Sequence, residues 1–355
     1  MALTAISPAS RVGLINGGAV NSDTDALFLK VFSGEILTTF EEYNVMKGLH
    51  MVRTIQNGKT AQFPATGIAT ATYHSAGNSL LETESGGAAK YLSDIKKSEI
   101  TIAIDDVLIA STFLANIDEL KSHYDVRSIY AQELGKALAK RFDIATMKTL
   151  IAGARQGATI TGGKSGIRIT SDVDLASGTG LVNALFAMAE ELDGNDIPSD
   201  DRFAILTPTQ YYKLISDPTT NIALNRDYGG EGSVAQGTAP MVAGIRIFKS
   251  NHLADVTALG DASGGTTDDA NAGVKNDVFD TAGVGYDGDF SVGAAGGGRI
   301  IGGHKAGIGT VKLLDLATES EYQIERQGTL FVAKYAMGHG VIRPEACVEI
   351  VDQTA

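Results

Sequence analysis

Apolar residues along this chain follow two rhythms, steps of three and four and steps of two. The longest run in the first rhythm organises the rest. From Val126 the chain reads VRSIYAQELGKALAKRFDIATMKTLIAGA, without proline and with one interior glycine, Gly135. Ala, Leu, Lys, Gln and Glu dominate it, and these are strong helix formers. Apolar positions recur at Ile129, Leu134, Ala137, Leu138, Phe142 and Ala145, and again at Ile144, Met147 and Ile151. The spacing predicts an amphipathic helix over about 126–154, with Leu134, Leu138 and Phe142 in its core face. Asp125 stands at the N-cap position, and Gly153 and Gly157 offer stops. At 1.5 Å per residue such a helix is about 44 Å long, the length of a strut across a flat molecule.

The flanking segments predict a discontinuous layout. Asp23 and Asp25 precede ALFLKVFSGEILTTFEE, which reads as a short amphipathic helix. Met51–Ile55 and Thr60–Phe63 are strand-like, and Asn57-Gly58 between them is a tight-turn signal. Ala65 to Ala89 is rich in Thr, Ala, Ser and Gly, with Tyr73, Leu80 and Leu81 as its prominent larger apolar groups. Ile100, Ile102 and Ile104 then alternate as in a half-buried strand. A segment this long with so little apolar content suits a protruding hairpin that packs on another subunit. Asp106 to Tyr124 leads into the long helix.

A second body follows. GTGLVNALFAMAEELDG predicts a helix with Leu181, Leu185, Met188, Ala189 and Leu192 on one face. Arg202–Leu206 reads as a buried strand, Thr207-Pro208 as the start of another helix, and Gly244–Lys249 as a strand. Glycine and aspartate crowd Asp255–Gly303, with short strands at Val278-Phe279 and Arg299–Ile301. The end, TVKLLDLATE and EYQIERQGTLFVAKYAMGHGVIRPEACVEIV, is strand-rich, with Pro344 separating two strands. It returns to pack beside the long helix.

Composition narrows the function. The 355 residues are 43% hydrophobic and 20% charged, enough for two or three compact units. With 42 glycines and 7 prolines, bends between elements are many. The single cysteine, Cys347, excludes an internal disulfide and reads as a small buried apolar side chain. A net charge of −13 argues against strong nonspecific binding to nucleic acid, which needs many Lys and Arg to displace counterions. Apolar runs fall short of the roughly 20 residues that span a bilayer. The first residues lack the basic head and apolar segment of a secretion signal, so a soluble intracellular product is expected.

Catalytic signals are weak. Gly163-Lys164-Ser165 echoes the end of a phosphate-binding loop, but the required first glycine falls on Ala158, and a helix precedes where a strand is needed. The histidines, at 50, 74, 123, 252, 304 and 339, form no H-E-x-x-H pair, and His339 is expected to hydrogen-bond locally. No G-x-S-x-G elbow occurs. Glu190-Glu191 and Asp200-Asp201 are adjacent pairs, whereas catalytic carboxylates face each other from separate elements, so these are expected on the solvated surface. The aspartates after Asp255 lack a calcium-loop pattern. No catalytic residue, metal site or cofactor is predicted.

Three blocks carry a family resemblance. ALFLKVFSGEILTTFEE with HMVRTIQNGKTAQFPATG, HYDVRSIYAQELGKALA, and GTVKL with FVAKYAMGHGVIRPEA resemble, in this order, major capsid proteins of short-tailed, podovirus-type (autographivirus-type) bacteriophages that encode their own RNA polymerase. The resemblance spans roughly the first 150 and last 50 residues. It implies an α+β fold, the HK-97-type phage capsid fold: N-terminal arm 1–24, N-terminal helix region of the peripheral domain 25–50, extended β-hairpin loop 51–105, peripheral domain with a spine helix 106–159, axial domain 160–304, and returning peripheral strands 305–355. No residue match carries covalent cross-linking chemistry over.

It also implies function by self-assembly, as pentamers and hexamers of an icosahedral shell enclosing double-stranded DNA, in a virion built in the host bacterial cytoplasm. Assembly contacts are then expected at Arg53, Phe63, Tyr73, Leu80 and Leu81. The implied partners are other copies of the chain, a scaffolding protein during assembly and a portal protein at one vertex, with a decoration protein as an optional addition, packaged DNA held without strong specific binding, and no membrane. Two alternatives stand beside it: an encapsulin-like shell of a cellular compartment, which needs an enclosed cargo, and a soluble α+β enzyme with Gly-rich loops.

Overall fold

The computed structural model describes residues 44–69, 71–81, 91, 95, 97–104, 107–117, 126–160, 163–170, 174–216, 241–253 and 298–352. The expected arm, the short helix after Asp25, the Asp125 cap, the strand at Val278-Phe279 and most of the Asp255–Gly303 loops lie outside the described residues.

In chain order the elements are β1 (Met51–Thr54), β2 (Thr60–Thr66), β3 (Lys97–Ala103), β4 (Leu108–Ala115), α1 (Val126–Arg155), β5 (Ile167–Ile169), α2 (Gly178–Gly194), β6 (Arg202–Leu206), α3 (Pro208–Ser216), β7 (Met241–Val242), β8 (Ile245–Lys249), β9 (Arg299–His304), β10 (Ile308–Gln323), β11 (Gly328–Val341) and β12 (Cys347–Val351). Strands β1-β10-β11-β4 form one sheet, β5-β12-β9-β6-β8-β7 a second, and β2-β3 a separate two-stranded ribbon. β10 and β11 make a long hairpin, turned at its tip by Gln327 at φ 50°. β6 is buried at every position because both its faces are covered. That is why RFAIL reads as an unbroken apolar run.

The long helix runs between the two larger sheets. Leu138, Phe142 and Met147 meet Ala333, Tyr335 and Met337 of β11, while Leu150, Ile151 and Ala154 belong to the same cluster as Phe203, Ile205, Ile301 and Cys347 of the six-stranded sheet. The opposite face of that sheet carries α2 and α3, through Leu181, Leu185, Met188, Leu192 and Leu214 against Ala204, Ile245, Val348 and Ile350. Ser177 caps α2 by accepting from the Gly180 amide at 3.1 Å.

The helix is amphipathic only in its first half. From Phe142 to Ala154 nearly every position is buried, including Asp143, Thr146 and Thr149. The threonine hydroxyls donate back to the helix, Thr146 to the Phe142 carbonyl at 3.0 Å and Thr149 to that of Ala145 at 2.9 Å. Polar side chains are thereby satisfied without water. Ala137, expected in the core face, is exposed.

Gly153 is not a stop. A Cβ there would stand 2.7 Å from Cys347 Sγ and 3.2 Å from Val341 Cγ1, so the glycine lets the helix backbone approach β12. At the helix end Arg155 grips buried Glu349 with two hydrogen bonds of 2.7 and 2.8 Å, and Arg168 and Arg299 stand 3.3 and 3.1 Å from the same carboxylate. One charged group thus ties α1 to β5, β9 and β12.

Three further differences from the sequence reading have local causes. Met51–Ile55 and Thr60–Phe63 do not pair with each other across Asn57-Gly58. β1 runs parallel to β10, and β2 pairs antiparallel with β3. Gly58 sits at φ 110°, a conformation that carries the chain from one sheet to another instead of folding it back. β4, unrecognised in the segment before the helix, pairs with β11 as an edge strand. The chain crosses between sheets at Pro344, so β12, grouped by sequence with the returning strands, lies between β5 and β9.

Leu138→Asp places a carboxylate at a buried position in the apolar seam between α1 and β11. A penalty of several kcal/mol is expected, enough to abolish soluble folded subunit. Circular dichroism and urea titration matching the parent would show that this face is not the core.

Candidate assembly surface

The ribbon grows from a small apolar root. β2 and β3 pair from Thr60↔Ala103 to Thr66↔Lys97. Their alternation turns Ala61, Ile102 and Ile104 onto Val311 and Ala336 of the four-stranded sheet, with Ile55, Phe63 and Ile342 at the margin. The Ile104 amide donates to the Lys59 carbonyl at 2.7 Å and closes the base. Arg53 donates to the Gln62 carbonyl at 2.9 Å, and its guanidinium carbon lies 5.7 Å from the Phe63 ring centre. Arg53 and Phe63, both expected to meet a neighbour, meet each other within one subunit.

Beyond Thr66 the chain exposes large apolar groups. Tyr73 is fully open to solvent, Leu80 is 62% exposed and Leu81 74%. The loop is held by light polar contacts: His74 Nε2 lies 2.8 Å from the Asn78 carbonyl, and the Asn78 amide donates to the Tyr91 hydroxyl at 3.2 Å. Tyr73, Leu80 and Leu81 stand apart from Arg53 and Phe63. Sequence reasoning passed over Ile68 and Ile95 in the same limb, and Tyr322 and Ile324 at the β10–β11 tip, all exposed. The legible signal was an isolated large apolar residue inside a polar stretch, read at Tyr73 and missed at the others.

The root rests on a sheet pinned to the long helix by a buried polar relay. Leu138 and Phe142 are buried and Leu134 is half-buried against the same cluster. The Phe142 ring lies between those of His50 and His339, at 5.8 and 5.2 Å. Thr310 Oγ1 bridges His50 Nε2 at 2.7 Å and His339 Nδ1 at 2.9 Å, and His50 Nδ1 reaches the Met46 carbonyl at 2.6 Å. Asp143 accepts from the Val45 and Met46 amides and lies 3.1 Å from His252 Nδ1. Burial, reinforced by the nearby His50, pushes the His339 pKa down to about 3, and burial lowers that of His50 against the pull of its carbonyl partner. Both imidazoles are therefore neutral at pH 7, and His339 bonds locally as expected.

Features with an enzymatic look resolve structurally. Lys164 of the Gly-Lys-Ser run donates to the Gly194 carbonyl at the C-terminus of α2, where a cation suits the helix dipole. Glu190, Glu191, Asp200 and Asp201 are exposed. Cys347 is buried beneath α1, and burial pushes its thiol pKa up. Among the described residues no cluster of His, Cys, Asp or Glu could hold a metal ion, and no helix is long and apolar enough to cross a membrane.

The arrangement is a two-sheet body with a long helical strut and an apolar limb. A family model described as Gp10A-like major capsid protein matches residues 62–351. The chain belongs to the Gp10A-like major capsid protein family. The major capsid protein of Enterobacteria phage T3 is 33% identical over 363 residues, covering 98% of this chain and 97% of that protein. The major capsid protein of Escherichia phage T7 is 32% identical over 350 residues, covering 94% of each. Among solved structures, the capsid of cyanophage P-SCSP1u superposes with a TM-score of 0.71 at 34% identity, covering 98% of both chains.

This Gp10A-like major capsid protein has the HK-97-type capsid fold implied by the sequence resemblance and is a structural component of a phage head shell, hence of the virion. Family membership favours that role over the compartment-shell and enzyme alternatives.

The neutral histidines set an acid limit on the subunit. Their depressed pKa values contribute stability that is fully present above the unfolded value of 6.5. For His339 it is lost as pH falls toward about 3, at up to about 1.4 kcal/mol per pH unit, and the lowered His50 acts in the same direction. Urea midpoints of the unassembled subunit should therefore fall between pH 6.5 and 4, and His339→Gln should flatten that slope by about one proton. Equal slopes for parent and variant would contradict the buried neutral His339.

Proposed function

We propose that the subunit tiles the shell as rings of five and six copies around double-stranded phage DNA, with segment 51–105 as the limb that reaches a neighbouring copy. In this layout the arm is 1–24, the N-terminal helix region 25–50, the peripheral part 106–159 with 305–355, and the axial part 160–304. The observation that carries the reading is the exposure of Tyr73, Leu80 and Leu81 on the segment that follows β2 of the two-stranded ribbon. The four-stranded sheet covers the root of the ribbon on one face, through Ala61 and Ile102, and a two-stranded ribbon whose other face stands in water is marginal. A neighbour that covers it supplies the missing face, and each large apolar group so covered contributes roughly 1.5–3 kcal/mol. Several such contacts act together in a ring, so individually weak ones suffice.

Arg53 and Phe63 take part from the root side, where they fix the ribbon that presents the other three. The function is structural and needs no catalysis and no cofactor. A scaffolding protein during assembly and a portal at one vertex are its further partners, with a decoration protein as an optional addition. An acidic subunit suits a wall that does not grip packaged DNA.

Deletion of Thr66–Ala88 is expected to leave a folded subunit that forms no shells. Size-exclusion chromatography and negative-stain imaging after co-expression with scaffolding protein read the outcome. Shells of normal number and diameter from the deletion would remove the limb's role.

A further inference from the structure

The segment KYAMGHG alternates large and small. Tyr335, Met337 and His339 face the long helix, while Ala336, Gly338 and Gly340 face the root of the ribbon. Opposite them on β10, Gly309 pairs with Gly340 and Val311 with Gly338. The sheet therefore presents a floor of small residues, Ala336, Gly338 and Gly340, beside Val311, and the Ile102–Ile104 stretch lies directly on it. A Cβ on Gly338 would stand 2.0 Å from the Ala103 carbonyl oxygen and 3.1 Å from Ile104 Cα. A Cβ on Gly340 would stand 2.7 Å from Ile102 Cγ1, whereas one on Gly309 would first meet Ile342, 2.5 Å from its Cδ1. The closest of these contacts is to backbone, which cannot rotate away.

We propose that Gly338, with Gly340, is the fulcrum that sets the direction in which the β2–β3 ribbon leaves the subunit, and thereby the curvature of the shell. The proposal rests on the assembly role assigned to the limb. Its physical basis is leverage. Gly338 and Gly340 are two residues apart, about 7 Å, and the ribbon extends about 23 Å. Lifting one contact by about 1 Å tilts the ribbon by about 8° and moves its far end by about 3 Å. Packed interfaces do not absorb such a shift smoothly, because close-packed surfaces transmit strain. The helix-facing side chains of the same strand are untouched by the change, so the direction of the limb is adjustable apart from the core. These glycines are positioning residues and make no contact with the neighbour in this account.

The test compares full-length Gly338→Ala, Gly340→Ala and Gly340→Ala/Ile102→Ala, each co-expressed with scaffolding protein. Circular dichroism and thermal melting report the subunit, and electron microscopy reports particle yield and diameter. Gly338→Ala should stay folded and give at least a tenfold loss of normal-diameter particles, as aberrant shells, sheets or free subunit. Gly340→Ala, which meets only a side chain, should lose less, and adding Ile102→Ala should restore the normal diameter.

Normal shells from Gly338→Ala overturn the proposal. Insoluble subunits from both single variants also overturn it, because the floor would then serve folding rather than direction. Failure of Ile102→Ala to rescue Gly340→Ala overturns it too, by assigning the defect to the sheet. The two readings separate cleanly. Normal shells from the Thr66–Ala88 deletion remove the limb's role, whereas an assembly-dead deletion beside a normal Gly338→Ala removes only the fulcrum.

Discussion

Everything in this subunit depends on a helix that loses its solvent face halfway along. Over Phe142–Ala154 the long helix is enclosed by β11 on one side and by β6, β9 and β12 on the other. Each buried Leu, Ile or Met there contributes roughly 1.5–3 kcal/mol. Enclosure also imposes a demand, because a polar group left unpaired in such a seam costs about as much as an apolar one supplies. The helix meets it with threonines that bond their own turn and with Asp143, which holds the Val45–Met46 turn and His252. A single element is thereby common to both sheets, and neither sheet can move without it.

The same economy of contacts divides the rigid from the reaching parts. Glu349, surrounded by Arg155, Arg168 and Arg299, locks the helix end to three strands. Buried ion pairs of this kind specify geometry more than they stabilise, since desolvation offsets much of their attraction. The limb, by contrast, is held by a few apolar side chains on a floor of small residues and by light polar contacts in its loop. A shell protein needs both properties. Its body must keep one shape in every ring, while its contacts follow small differences in angle between rings.

The site is legible in the sequence to the extent that its logic is local. Tyr73, Leu80 and Leu81 stand out because large apolar residues in a Thr-, Ser- and Gly-rich stretch have no core of their own to enter. The alternation of Ile100, Ile102 and Ile104 correctly marks a strand with one buried face. Arg53 and Phe63 are less transparent, because their contact with each other needs β1 and β2 to lie side by side at the root in different sheets. β4 escaped notice because its inward positions, Leu108, Ala110, Thr112 and Leu114, dilute the alternation with small and polar groups, as an edge strand tolerates. The family resemblance supplied what spacing could not, namely that copies of this chain build a shell.

Sequence alone determined the periodic elements: the long helix to within a residue of its end, the buried face of α2, the unbroken apolar strand β6 and the break at Pro344. Local propensity and side-chain period decide these, and both are written in consecutive residues. Tertiary structure alone decided which strands are neighbours. Only it paired β1 with β10 across more than two hundred and fifty residues, put β12 into the six-stranded sheet, and gave Gly153 and Gly338 their purpose. A glycine signals only that a side chain is missing. What occupies the vacated space is set by a backbone arriving from elsewhere in the chain.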